Sequence, residues 1–291
     1  MKSKIIAIMT VLFVLSVPSA FSLGGLKLMT VEPGARPSGM GGAFTAVSMD
    51  PYSVAYNPAA GYGAGPLRGA VGHNAYWENI RLETGYISFD KDEVCYSVGT
   101  QFAVVGDIQG RGNTPTSEYY PFDLHDFSFK FGAAFKASDN IIVGGMVGWF
   151  FEKIETYSGS ALNADLGILM TATPKLTLGA SALNLGGKMK LRDEDYSLPS
   201  TYRMGASYQL KNFLPVADIV IQDSEFHLHL GGEYEIKGNF LIRSGYRFGY
   251  DSKDFSAGVG FVQRNFRVDY AFVPYKNNLG DSHLINLTFH L

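Results

Sequence analysis

The chain has 291 residues, 46% of them hydrophobic and 14% aromatic, with a formal net charge of −3. Its basic residues are scattered rather than massed, so a nucleic-acid partner is not expected. Cys95 is the one cysteine, which excludes an internal disulfide framework.

Met1 to Ser22 read as a secretory signal. Lys2 and Lys4 supply the positive start, Ile5–Val17 is a thirteen-residue apolar run, and Ala20-Phe21-Ser22 offers small residues before a cleavage site. The run falls short of the roughly 20 residues that span a bilayer as a helix. The exported chain is then either soluble or an outer-membrane barrel. Residues 23–66 form a second segment, punctuated by Gly39, Gly41, Gly42, Pro37, Pro51 and Pro58. The glycines permit tight turns and close backbone contact, and the prolines stop regular structure. Gly39-Met40-Gly41-Gly42 follows no strand, so it does not read as a phosphate loop.

From residue 67 to 291 the chain reads as fourteen strands. They are Leu67–Trp77, Asn79–Phe89, Glu93–Val105, Asp126–Ala137, Asn140–Ile154, Ser160–Ala172, Leu176–Gly186, Thr201–Leu210, Val216–Asp223, Phe226–Ile236, Asn239–Tyr250, Phe255–Gln263, Phe266–Tyr275 and Ser282–Leu291. Most approach the roughly 9–11 residues of a tilted transmembrane strand. Short connections such as Lys91-Asp92 and Arg264-Asn265 alternate with mostly longer ones: Gly106–His125, Glu155–Gly159, Gly187–Ser200 and Lys276–Asp281. An even strand count with alternating loop lengths is the signature of an outer-membrane barrel. Of the loops, Gly106–His125 is the one long enough to fold over the mouth. Lys188–Asp195 is a charge run that reads as a solvated external loop. Pro215 weakens the ninth strand.

Side chains alternate faces along a strand. Phe127, Phe129, Phe131 and Phe135 share one face, with Ser128, Lys130 and Lys136 on the other. Leu162, Leu166, Ile168 and Met170 oppose Asn163 and Asp165, and Phe266, Val268, Tyr270 and Phe272 oppose Arg267 and Asp269. Turning one such charge to lipid costs about 2–4 kcal/mol at the midplane, so this sorting suits a barrel in a membrane. Gly, Phe and Tyr in quantity suit its apolar outer face and girdles.

Pairing Ile236 with Phe240 across a three-residue turn sets Glu233 opposite Arg243 and His229 opposite Arg247. Arg203 and Arg267, with Asp165, Asp218 and Asp269, extend this to a mixed-sign lumen network. Two readings stay open: ion pairs that stiffen the interior, or a lining that contacts another segment or a ligand head group. His227-x-His229 lacks further His or Cys at compatible spacing, so no metal is expected. The histidines have no motif-flanked Ser, so neither an enzyme nor a cofactor is expected.

The stretch Gly34-Ala35-Arg36-Pro37-Ser38-Gly39-Met40-Gly41-Gly42-Ala43, with Asn57-Pro58-Ala59, resembles the N-terminal signature of the PorV/PorQ family, a branch of the FadL-like outer-membrane barrels. Ala182-Leu183-Asn184-Leu185-Gly186-Gly187, Leu198-Pro199 and Arg203-Met204-Gly205 also match. The resemblance implies an all-β, fourteen-stranded antiparallel barrel in the outer membrane, residues 67–291, with residues 23–66 as a hatch inside the lumen. It leaves two functions open. One is type IX-like secretion, with secreted proteins and secretion components as partners. The other is passive transport of hydrophobic small molecules. A structural surface protein is a third possibility. The C-terminal strand, with Ile285, Leu287, Phe289 and Leu291 on one face, resembles the assembly signal of such barrels, although Leu291 stands where an aromatic is usual.

Overall fold

The computed structural model describes residues 29–76, 80–111 and 118–291. The expected signal at 1–22 lies outside them. The strands are β1 (Arg68–Ala75), β2 (Ile80–Lys91), β3 (Val94–Arg111), β4 (Tyr119–Ser138), β5 (Ile141–Ile154), β6 (Tyr157–Thr171), β7 (Leu176–Gly186), β8 (Lys188–Leu191), β9 (Glu194–Ser197), β10 (Thr201–Tyr208), β11 (Phe213–Gln222), β12 (Glu225–Ile236), β13 (Phe240–Phe248), β14 (Phe255–Gln263), β15 (Phe266–Pro274) and β16 (Asp281–His290). All but β8 and β9 close into one fourteen-stranded antiparallel barrel. The seam is β1 against β16, from Arg68 opposite His290 to Ala75 opposite His283. Closure leaves no free backbone edge inside a bilayer.

Period-two alternation sets which side faces out. Leu162 and Val147 are 74% and 65% exposed on the outer face, alongside exposed Phe131, Leu166, Phe240, Ile242, Val259 and Val268. On the inner face of the same wall, Asp165, Arg243 and Asp269 are almost fully buried. A wall greasy outside and charged inside requires an apolar medium outside.

At the end of the barrel that holds its first and last residues, the turns are two to four residues long. Asp92 and Glu93, like Asp223 and Ser224 at the opposite end, both take positive φ, the geometry of two-residue hairpins whose twist matches their strands. Pro215 lies within β11, one residue beyond the last β10–β11 pair, where its missing N–H breaks no rung to β10.

At the opposite end three expectations need correction. Gly106–His125 is not a loop over the mouth. After a bulge between Val105 and Ile108, with Asp107 at φ +59, β3 and β4 run on as a two-stranded ribbon pairing Ile108–Arg111 with Tyr119–Phe122. Glu155–Gly159 is not a long connection either, because β5 and β6 pair up to Ile154 opposite Tyr157. The third correction concerns Lys188–Asp195. These residues form the β8–β9 hairpin, and Met189 is buried among Leu82, Ala103, Phe150, Ala161 and Leu198. Its charges alternate with Met189 and Leu191, so one face of the hairpin stays wet and the other covers the barrel mouth.

Candidate functional site

The interior of the barrel is occupied by the chain's own N-terminal segment. A short helix, α1 (Ala35–Gly39), and two 3-10 turns, Pro51–Ala55 and Pro58–Gly61, are buried against inward-facing strand residues. Each 3-10 turn begins with proline after a polar cap. Asp50 accepts from the Tyr52 N–H at 3.0 Å, and Asn57 accepts from the Ala59 N–H at 3.1 Å. Met40, Phe44, Tyr52, Val54 and Tyr56 are fully buried, so this segment is core rather than linker.

Glycines set how closely it lies. Gly41 has φ +69, and a Cβ there would stand 2.8 Å from the Leu230 carbonyl oxygen. From the wall side, a Cβ on Gly231 would stand 2.1 Å from the Met40 carbonyl oxygen, and one on Gly245 would stand 2.0 Å from the Gly41 nitrogen. Backbone meets backbone here, and only glycine on both sides permits it.

The other motif residues each touch the wall or shape the segment. Gly34 takes φ +93 before α1, and the Ala35 N–H donates to Asn286 Oδ1. A Cβ on Gly39 would meet the Cα of Gly258 first, at 3.2 Å, and Gly42 offers its carbonyl to Arg203. Asn57 Nδ2 donates to the Thr45 carbonyl inside the segment and to the Ile168 carbonyl of the wall, both at 2.9 Å. Pro58 abuts Gly144 and Gly167, and Ala59 is fully buried.

Charges complete the junction. Ile236 pairs with Phe240, so Glu233 stands opposite Arg243 and His229 opposite Arg247. Arg36 reaches Glu233 at 2.7 Å and Asp50 at 3.0 Å. Asp50 meets Arg267 at 2.5 Å, Arg267 meets Asp269 at 2.6 Å, and Arg243 meets Glu233 at 2.6 Å. Arg243 Nη1 lies 2.8 Å from Asp269 Oδ1, an ion contact outside hydrogen-bond geometry. The six groups make a closed ring of alternating sign, two from the segment and four from the wall. Opposite charges at every step are what allow ions to be buried at all. Burial opposes ionisation of Asp50, but the guanidinium groups of Arg267 and Arg36 outweigh it and hold its carboxyl at about 2.

A second cluster holds the start of the segment. Glu32 accepts from Arg247 at 3.1 and 3.2 Å and from Arg203 at 3.4 Å, with His229 Nδ1 3.4 Å away. Burial raises the Glu32 carboxyl, yet Arg247, His229, Lys253 and Arg203 together hold it well below the usual carboxylate range. Arg203 also pairs with Asp218 at 3.1 Å, and Asp218 accepts from the Phe44 and Thr45 N–H groups. His229 Nε2 lies 2.9 Å from the Tyr250 hydroxyl, and His227 stacks on the same ring. Asp165 is apart from both clusters, paired with Lys130 at 2.6 Å.

The network residues expected from sequence thus fall into three groups rather than one. Glu32 and Asp50 carry much of the first two groups and were not singled out by sequence. They lie in irregular backbone, where no period assigns a facing direction. The signal that could have found them is two acids flanking the glycine motif, with four inward arginines, Arg203, Arg243, Arg247 and Arg267, to be matched.

Between the segment and the wall remains a cavity of about 60 Å³, lined by Val31, Glu32, Tyr56, Tyr86, Met146 and Arg203 among others.

No protein-family model matches the chain, and no curated protein matches it. Solved structures do. The Pseudomonas putida toluene transporter TodX superposes with a TM-score of 0.67 at 12% identity, over 92% of this chain and 98% of that one. For the Ralstonia pickettii toluene transporter TbuX the values are 0.65 and 13%, over 89% and 98%. For a Pseudomonas aeruginosa FadL homologue they are 0.61 and 12%, over 88% and 98%. At such identities the likeness speaks for the fold alone. The structural neighbours of this chain are FadL-like barrels, and it shares their fourteen-stranded antiparallel fold.

Proposed function

We propose that this chain is an integral outer-membrane barrel that admits small hydrophobic molecules past a hatch formed by residues 23–66. One observation carries the reading: a closed barrel with an apolar exterior and a lumen filled by its own N-terminal segment. An open lumen would favour a general aqueous pore. A filled one favours selective passage of molecules that partition from the lipid side or the mouth. The remaining cavity of about 60 Å³ is well under the roughly 150 Å³ that accommodates benzene in an engineered protein. Passage therefore requires the hatch to move. Two toluene transporters and the monoaromatic hydrocarbon channel CymD are among the structural neighbours, which agrees with that choice of cargo. Residues 1–22 would deliver the chain to the envelope. The test is uptake of a radiolabelled monoaromatic hydrocarbon by cells with and without the gene. Faster uptake with it, at unchanged entry of a hydrophilic sugar, supports the reading, and equal uptake refutes it.

A second reading, a PorV/PorQ-like role in type IX secretion, is favoured by the projecting β3–β4 ribbon. Tyr119 and Tyr120 are exposed on it, and β4 above Leu124 has no partner in β5, so the ribbon offers an edge and aromatic surface to an exported protein. Loss of surface proteins on deleting the gene, with hydrocarbon uptake intact, would select it.

A further inference from the structure

The start of the N-terminal segment and the β8–β9 hairpin come from opposite parts of the sequence, yet they share their fastenings. Met29 and Val31 pack on the same apolar cluster that buries Met189 and Leu198 of the hairpin and its return. Beside that cluster, β7 bulges: the β6–β7 register shifts between Ala164 and Leu166, and Asn184 takes φ +56. The bulge lifts the Asn184 side chain into the space between the two pieces. Its amide nitrogen donates to the Met29 carbonyl at 3.1 Å and to the Pro199 carbonyl at 3.4 Å. Its oxygen accepts from Lys130 Nζ at 2.8 Å, which fixes which way the amide points. The Asn184 backbone is anchored in turn, with its N–H on Asp165 Oδ1 at 2.7 Å and its carbonyl accepting from the Ser200 hydroxyl at 3.4 Å. Three residues past Met29, Glu32 pairs with Arg203, which stands two residues after the hairpin's return joins the wall at Thr201.

We propose that Asn184 is the clasp of a two-part gate, in which the β8–β9 lid over the outer mouth and residues 29–43 of the hatch open as one unit, since Arg203 and Arg247, which hold Glu32, also bond the Gly42 and Ser38 carbonyls. Neither piece can leave without breaking the shared cluster and a bond to the same amide. Release of one therefore lowers the cost of releasing the other, and the coupling acts equally in both directions. The proposal goes beyond the transport reading and does not depend on what passes through.

Hydrogen exchange read by mass spectrometry on the full chain in lipid nanodiscs tests it. Asn184→Asp keeps the acceptor for Lys130 but removes both donated bonds. It should speed exchange of the β8–β9 amides and of residues 38–43 together, by about tenfold, the factor set by losing one or two ordinary buried hydrogen bonds. Exchange in β12–β15 should stay as it was. Asn184→Gly, which keeps the left-handed backbone and removes the amide, should do the same and guards against an effect of the new carboxylate. Glu32→Gln should also speed exchange in the lid, and Met189→Ser in residues 38–43. The gate is overturned if each substitution loosens its own piece alone, if neither Asn184 variant changes either piece, or if exchange rises equally throughout the barrel. None of these outcomes bears on hydrocarbon uptake, so the two proposals stand or fall separately.

Discussion

A methyl group at Gly231 has no place to go while Met40 holds its position, because the obstacle is a backbone oxygen rather than a flexible side chain. Gly231→Ala should leave strand β12 intact and expel residues 38–42, opening the buried Phe44–Thr45 bond to chymotrypsin in a barrel that still migrates as folded on unboiled gels. Arg243 makes the opposite case. Its side chain is fully buried and serves both Glu233 and Asp269, so Arg243→Ala leaves two carboxylates short of a partner. Breaking a buried pair costs about 3–5 kcal/mol, which a lowered urea midpoint would register. An unchanged midpoint with altered uptake would assign Arg243 to a ligand instead. Asp50 adds a pH dependence with a definite sign. Its folded value of about 2 lies below the unfolded value near 3.9. The stabilisation, about 2–3 kcal/mol, is complete above pH 4 and is lost as the pH falls towards 2. Pepsin should therefore begin to cut within residues 34–62 near pH 2 but not at pH 4, while the barrel strands resist at both.

At the scale of elements, the ribbon and the lid behave differently although both rise from the same end. Among the described residues, the β3–β4 ribbon above the Val105–Ile108 bulge forms strand pairs only within itself. Replacing residues 108–121 by a two-residue turn should leave insertion and the urea midpoint unchanged, whereas removing residues 188–197 strips the cover from Phe150 and Leu82. Sequence made the wall legible and the lid illegible for the same reason. Phe226 to Ile236 alternate with period two, and once Ile236 faces Phe240 the cross-strand partners of Glu233 and His229 follow without further information. Lys188–Asp195 also alternates at its start, but six charged side chains, all of them exposed, surround Met189 and Leu191 and hide their inward face until the mouth beneath is known. The motif glycines were legible as close-approach positions. Their partners Gly231 and Gly245 were not, because a glycine in a strand announces thin wall without saying what fills it.

For the whole molecule, the consequence is a barrel whose core is its own leading segment. The six-membered charge ring has three cations and three anions, with Arg36 and Asp50 from the segment, so the ring is neutral as a whole and the segment is held by geometry as much as by attraction. Such a plug can be strong against random loosening and still be removed by one displaced contact. Single-barrel conductance in planar lipid bilayers examines this most directly. The wild-type chain should carry no steady ionic current, and Gly231→Ala should show discrete ohmic steps of an opened lumen. A wild-type barrel that conducts like an open pore, or a Gly231→Ala barrel that stays silent although chymotrypsin cuts it after Phe44, would contradict it.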